Sequence, residues 1–188
     1  MTAFWIALSL VFIAEMGDKT QLVALAFATR FRAGVVLAGV FVATLVIHLG
    51  SVAIGEVAGQ ALPRFWIDLL AGIAFIGFGL WTLRGEEPEG EEKASGRFGP
   101  FFTVATTFFL AELGDKTMLA TVTIASQQAS FVGVWLGSTV GMVLADGLAI
   151  VVGQVMGKRL PHKLIRYPAA VIFIASGMFT LVQAFRHR

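Results

Sequence analysis

Phe12-Ile13-Ala14-Glu15-Met16-Gly17-Asp18-Lys19-Thr20 returns in the second half of the chain as Phe109-Leu110-Ala111-Glu112-Leu113-Gly114-Asp115-Lys116-Thr117, identical at seven of nine positions. Past one inserted residue the match resumes. Gly39 aligns with Gly137, and Gly55-Glu56-Val57-Ala58-Gly59-Gln60-Ala61-Leu62-Pro63 aligns with Gly153-Gln154-Val155-Met156-Gly157-Lys158-Arg159-Leu160-Pro161. Similarity at a fixed offset is the mark of an internal duplication, and here it divides the chain in two.

Both copies lie in apolar surroundings. Of 188 residues, 57% are hydrophobic and 14% charged, and the mean hydropathy is +0.82. That is too little charge to cover a soluble domain. The apolar residues fall into blocks at 3–29, 34–61, 66–84, 99–126, 131–157 and 165–185, each near or above the ~18–20 residues that cross a bilayer core as a helix. The expected fold is an all-α membrane protein with six transmembrane helices, three per repeat: residues 1–84, an acidic linker at 85–98, and residues 99–188. The linker, rich in Glu, Gly and Pro, reads as solvated chain.

A three-span unit returns the chain to the opposite side of the membrane, so the second copy is expected in inverted topology. Nine Lys and Arg residues (Arg30, Arg32, Arg84, Lys93, Arg97, Lys158, Arg159, Lys163 and Arg166) fall in the loops after the first, third and fifth blocks. The opposite side holds Arg64, Arg186 and Arg188. The positive-inside rule then predicts a multi-pass protein of the inner (plasma) membrane with both termini outside.

The chain contains no cysteine, which removes disulfides, zinc–thiolate sites and thiol catalysis from consideration. Its basic residues are a topology signal and give no reason to expect a nucleic-acid partner. Ala26-Phe27-Ala28 has the small-x-small form of a signal-peptide cleavage site. Met1 to Ala14 carries no basic residue, however, and the same segment recurs mid-chain. It is expected to remain in the protein.

Charge at membrane depth costs about 2.5–3.5 kcal/mol per group on insertion scales, yet these blocks contain Glu15, Asp18, Lys19, Glu112, Asp115, Lys116 and Asp146. On a continuous helix Glu15, Asp18 and Lys19 stand at i, i+3 and i+4 and share one face, as do Glu112, Asp115 and Lys116. Inverted symmetry would bring the two faces together as four carboxylates around one axis. With the Thr20 and Thr117 hydroxyls they make a hard-oxygen donor set suited to Mn²⁺, Ca²⁺ or Mg²⁺. Lys19 and Lys116 balance part of the charge. Gly17 and Gly114 permit either a close helix approach or a local break.

His48 aligns with Asp146, each midway along the second helix of its half. Thr44, His48 and Ser51 share a face, as do Thr139, Met142 and Asp146. The pair is a candidate for proton coupling, against the plainer reading of an interhelical hydrogen bond. The plainer reading of the two motifs is a pair of structural salt bridges, and buried ion pairs are poor sources of stability. Trp5, Trp66 and Trp81 fit interfacial anchors, and Glu56 fits solvated surface.

The doubled Glu-x-Gly-Asp-Lys-Thr resembles the Gdt family of cation/proton antiporters, whose pattern is Glu-x-Gly-Asp-(Lys/Arg)-(Thr/Ser). Glu15, Gly17, Asp18, Lys19 and Thr20 match it, as do Glu112, Gly114, Asp115, Lys116 and Thr117. The resemblance spans the whole chain. It implies export of Mn²⁺ (or Ca²⁺) from the cytoplasm in exchange for protons, with the metal as substrate and no resident cofactor. A homodimer is compatible with it. Two other classes compete: an exporter of a small organic cation such as a basic amino acid, and an intramembrane aspartyl protease using Asp18 and Asp115. A neighbouring lysine argues against the protease, because its charge opposes the proton an aspartate dyad must share.

Overall fold

The computed structural model describes residues 1–84, 99–156 and 162–186. Among them the chain forms eight helices and no strand: α1 (Thr2–Glu15), α2 (Lys19–Ala28), α3 (Ala33–Ala61), α4 (Arg64–Arg84), α5 (Pro100–Glu112), α6 (Lys116–Gln127), α7 (Phe131–Met156) and α8 (His162–Arg186). Helices keep every backbone polar group satisfied inside an apolar segment, which lipid requires. Pro100 opens α5 at a position where its missing N–H costs nothing. Leu62, forced extended by the following Pro63, ends α3. The acidic linker at 85–98 and the 157–161 part of the repeat match lie outside the described residues.

The first and fourth apolar blocks are not continuous helices. Each breaks at its motif, so of the two readings open for Gly17 and Gly114 the local break is the one observed. Met16 (φ −62°, ψ 116°) followed by Gly17 (φ 82°) makes a type II turn, closed by the Asp18 N–H donating to the Glu15 carbonyl at 3.0 Å. Leu113 (φ −63°, ψ 111°) and Gly114 (φ 80°) repeat it, with Asp115 N–H donating to the Glu112 carbonyl at 3.2 Å. A positive φ at the third position of such a turn is what glycine supplies without a steric penalty. The shared i, i+3, i+4 face is corrected by the same turns. Glu15 closes α1 while Lys19 opens α2, and Glu112 closes α5 while Lys116 opens α6.

Packing crosses the duplication. Helix α1 lies on α7 and α5 lies on α3, so the first helix of each copy meets the long second helix of the other. Helices α4 and α8 pack together. The aligned glycines make two of these contacts. A Cβ on Gly137 would sit 2.4 Å from the Phe4 carbonyl oxygen, and one on Gly39 would sit 2.8 Å from Val104 Cγ1. Small residues at such points let helix backbones approach, which stands in for the hydrophobic drive that lipid withholds.

Two apolar clusters flank the breaks. One gathers Val11, Phe75, Phe78, Ile124, Met142 and Phe173, the other Phe27, Val36, Val40, Val104, Phe108 and Ile150. Outside them, large apolar side chains face outward on the long helices, among them Val46, Ile54, Leu70, Leu144, Val171 and Val182. A water-soluble monomer does not expose so broad an apolar surface, whereas a lipid-facing bundle does. Taken singly, α3 and residues 131–151 of α7 have the length and hydropathy of a span. Trp5 and Trp66 stand half-exposed near the starts of α1 and α4, as interfacial anchors would. The Trp81 side chain lies outside the described set.

Candidate cation site at the paired helix breaks

The turns put the ends of four helices at one buried place. C-terminal helix ends carry partial negative charge and N-terminal ends partial positive charge. Helices α1 and α5 therefore direct the favourable pole toward a cation, while α2 and α6 support the aspartates at their entrances. Asp115 caps α6 directly, its Oδ2 accepting from the Thr117 N–H at 3.4 Å.

Contacts between the two copies build the rest. Glu15 accepts hydrogen bonds from both motif threonines: from Thr20 of its own copy onto Oε1 and from Thr117 of the other onto Oε2 at 3.1 Å. Lys116 Nζ pairs with Asp18 Oδ1 at 2.9 Å, again from one copy to the other. Residues Glu15, Asp18, Thr20, Glu112, Asp115, Lys116, Thr117 and Asp146 are all at most 6% exposed. Coulombic interaction links Glu15 with Asp18, Asp146 and Lys116. It also links Glu112 with Glu15, Asp115, Asp18 and Asp146. The Lys19 side chain lies outside the described set.

The four motif carboxylates thus share one locus with Asp146, but they do not form a closed cage. Among the described residues, no three His, Asp or Glu side chains are grouped closely enough to hold one metal ion as they stand. The contacts show two of these acids already engaged: the threonine hydroxyls bond Glu15 and the Lys116 ammonium pairs with Asp18. Among the described residues, neither carboxylate oxygen of Glu112 or of Asp146 has a hydrogen-bond partner, although both groups are buried. Ionised, such a group requires a counter-charge.

His48 stands differently from the acid it aligns with. Thr139 donates its single hydroxyl proton to the Trp135 carbonyl at 2.8 Å. The 3.4 Å contact between His48 Nδ1 and Thr139 Oγ1 must then be a bond that the imidazole donates. That places the lone pair on Nε2, which is buried and has no partner among the described residues. Among the described residues, no hydrogen bond or ion pair joins His48 to an acid.

Two contributors were not foreseen from the sequence. Gln21 accepts the Gly17 N–H at 2.8 Å and donates to the Ala145 carbonyl at 2.9 Å, tying the first break to α7 beside Asp146. Its counterpart in the second copy is Met118, whose sulfur is the acceptor for Gly114 N–H at 3.2 Å. Asp68, buried at the start of α4, pairs with Arg64 at 3.0 Å. Their i, i+4 spacing was the available signal.

Broken helices that carry buried acids inside an apolar-clad bundle fit a membrane cation transporter, and the family and relatives that the chain matches place it among transporters. The chain belongs to the divalent cation/proton antiporter GDT1 family, whose model matches residues 3–90 and 100–188. A Vibrio cholerae protein named "Putative manganese exporter" is 34% identical over 182 residues, covering 96% of this chain and 90% of its own. GDT1-like protein 5 of Arabidopsis thaliana is 26% identical over 97% of this chain and 96% of its own. The chloroplastic GDT1-like protein 1 of Oryza sativa subsp. japonica is 29% identical over 97% of this chain and 62% of its own. No solved structure matches the chain at a significant level.

Proposed function

We propose that this protein exports Mn²⁺ (or Ca²⁺) from the cytoplasm in exchange for protons, through six spans arranged as two inverted three-helix repeats with both termini outside. The repeats comprise residues 1–84 and 99–188, joined by a cytoplasmic linker. In this reading α1 with α2, and α5 with α6, each form one interrupted span. The observation that carries the proposal is the pairing across the duplication: Thr117 donates to Glu15 at 3.1 Å and Lys116 pairs with Asp18 at 2.9 Å. Each motif supplies partners for the other. Discontinuous helices meeting at a repeat interface are a recurring design for ion sites in transporters.

The cation enters from the cytoplasm and is ligated by Glu15, Asp18, Glu112 and Asp115, with the Thr20 and Thr117 hydroxyls as further oxygens. Because these groups are not already caged, binding requires the carboxylates to close on the ion. Lys116 gives up Asp18 as the divalent charge replaces its own, and Lys19 balances charge likewise. Protons leave the carboxylates as the metal binds and return from outside as it departs. Proton occupancy lowers the charge that the empty carrier moves back through a low-dielectric interior. Asp146, fully buried with neither oxygen hydrogen-bonded among the described residues, is the residue we assign to proton exchange with the site. His48, bonded to Thr139, is better supported as a link between α3 and α7.

Uptake of Mn²⁺, Ca²⁺ and Mg²⁺ into proteoliposomes under an imposed pH gradient tests this, with lysine as competitor. Gradient-driven Mn²⁺ or Ca²⁺ flux is expected, abolished by Asp18→Asn with Asp115→Asn while membrane insertion persists. Retained flux in the double variant sinks the assignment, and lysine flux in place of metal favours an organic-cation exporter.

A further inference from the structure

A cavity of about 420 Å³ opens between α1, α4, α6 and α8, on the side of the breaks where α1 begins and α6 ends. Under the topology proposed above, on which this inference rests, that is the outer side. Its walls are mixed. Gln127, Gln128, Ser176 and Thr180 line it together with Phe179, and among the described residues no protein group hydrogen-bonds the Gln128 side-chain amide or the Ser176 hydroxyl. Ser176 lies ten residues from the end of α8 at Arg186, about 15 Å along the helix axis. A polar group at that depth without a protein partner calls for water, and the volume has room for about a dozen molecules.

The rim is braced. Arg64 pairs with the buried Asp68 at 3.0 Å and donates to the Gln127 carbonyl at 3.2 Å, and Gln127 Nε2 donates to Asp68 Oδ1 at 3.5 Å. The guanidinium meets the carbonyl end of α6, where positive charge is favoured. Together these bonds fix the outer end of α6 against α4. The floor is apolar: Leu10, Phe75 and Ile124 line the cavity on its inner side, and they pack in one cluster with Val11 and Ala14. Below it the site is near. Leu10 is five residues from Glu15, about 8 Å along α1, and Ile124 is seven residues from Thr117, about 10 Å along α6.

We infer that this cavity is the outer vestibule of the transport path, a water-filled exit for the metal cation that is separated from the site by a thin gate of Leu10, Phe75 and Ile124. Apolar constrictions of this kind bar ions by excluding water. The gate opens when α1 and α6 part at these side chains, while the Arg64–Asp68–Gln127 brace keeps the rim in place.

The absence of cysteine from the chain makes the test direct. Ser176→Cys and Gln128→Cys place single thiols in the cavity, and Val171→Cys places one on the outward apolar face of α8 as a control. A charged, membrane-impermeant methanethiosulfonate reagent added to intact cells is expected to modify the first two and spare the third. Modification is expected to reduce Mn²⁺ export several-fold relative to the same variant before labelling. Labelling from the cytoplasmic side alone, in inverted vesicles, overturns the outward assignment. Labelling only by a lipid-soluble maleimide shows a lipid-filled cleft and overturns the vestibule. External labelling that leaves export intact removes the cavity from the ion path. Mn²⁺ flux through the unlabelled parent in the same vesicles tests the antiporter reading separately.

Discussion

Replacing Gly114 with alanine tests whether the helix break, rather than glycine's small size, is what the motif requires. A Cβ at Gly114 would meet no atom within 4 Å, so the substitution adds no steric contact. Its cost comes from the backbone, because φ is +80°. A Cβ in the left-handed region costs about 1–2 kcal/mol per residue. For a chain of this length each kcal/mol corresponds to about 2–4 °C in Tm, so Gly114→Ala should unfold about 2–8 °C below the parent. Gly114→Asn, which tolerates positive φ better, should lose less. Gly77→Ala in α4 is the matched control, since its Cβ also meets open space but in helical conformation. There the change should be neutral, or stabilising by up to about 1 kcal/mol. Thermal unfolding in detergent reads all three. Mn²⁺ flux should fall in Gly114→Ala as well, because the turn fixes the separation of Glu112 and Asp115. If Gly114→Ala unfolds at or above the parent temperature, the type II turn is not what holds the site and the reasoning fails.

Three further outcomes are expected. Lys116→Met removes the ammonium that pairs with Asp18 at 2.9 Å and should lower Tm; adding Asp18→Asn should recover part of the loss, read as a coupling energy of about 0.5–3 kcal/mol in a double-mutant cycle of unfolding. Gly137→Ala would put a Cβ 2.4 Å from the Phe4 carbonyl and should cost about 1–3 kcal/mol by forcing α1 from α7, whereas Gly50→Ala, with open space at its Cβ, should be near neutral by the same measurement. Mn²⁺ at a hundred times its Kd should stabilise the folded protein by about 2.7 kcal/mol, visible as a higher Tm in the parent and absent when Asp18 and Asp115 are both asparagine.

The sequence is legible where its signals are periodic or repeated. Apolar blocks place the long helices to within a few residues: the block at 34–61 corresponds to Ala33–Ala61, and that at 131–157 to Phe131–Met156. Duplication of the motif points to one shared site because a pattern kept twice is unlike the apolar sequence around it. The breaks are less legible, since glycine serves close packing and positive φ equally well. Gly137 does the first and Gly17 the second, and nothing local in sequence separates them. A continuous-helix reading therefore assigns Glu15, Asp18 and Lys19 to one face, when a turn divides them between two helices. Gln21 escapes for another reason. Its role depends on a carbonyl 124 positions away in sequence, and its counterpart is a methionine.

That last difference bears on mechanism, because the two copies supply matching acids but unequal surroundings. The first break is held by an amide that bonds both its own turn and α7. The second has a thioether in that position, with Leu113 half-exposed beside it. A thioether is a weak acceptor that imposes little geometry, so the second turn is the more easily rearranged of the two. The acids follow the same division. Glu15 accepts from two threonines and Asp18 is paired with Lys116, while Glu112 and Asp146 keep buried oxygens that no described residue hydrogen-bonds. Groups already engaged resist change, and groups without partners gain most from an arriving cation or proton. In the proposed cycle the Glu112 break is therefore the part expected to rearrange most when the occupant is exchanged.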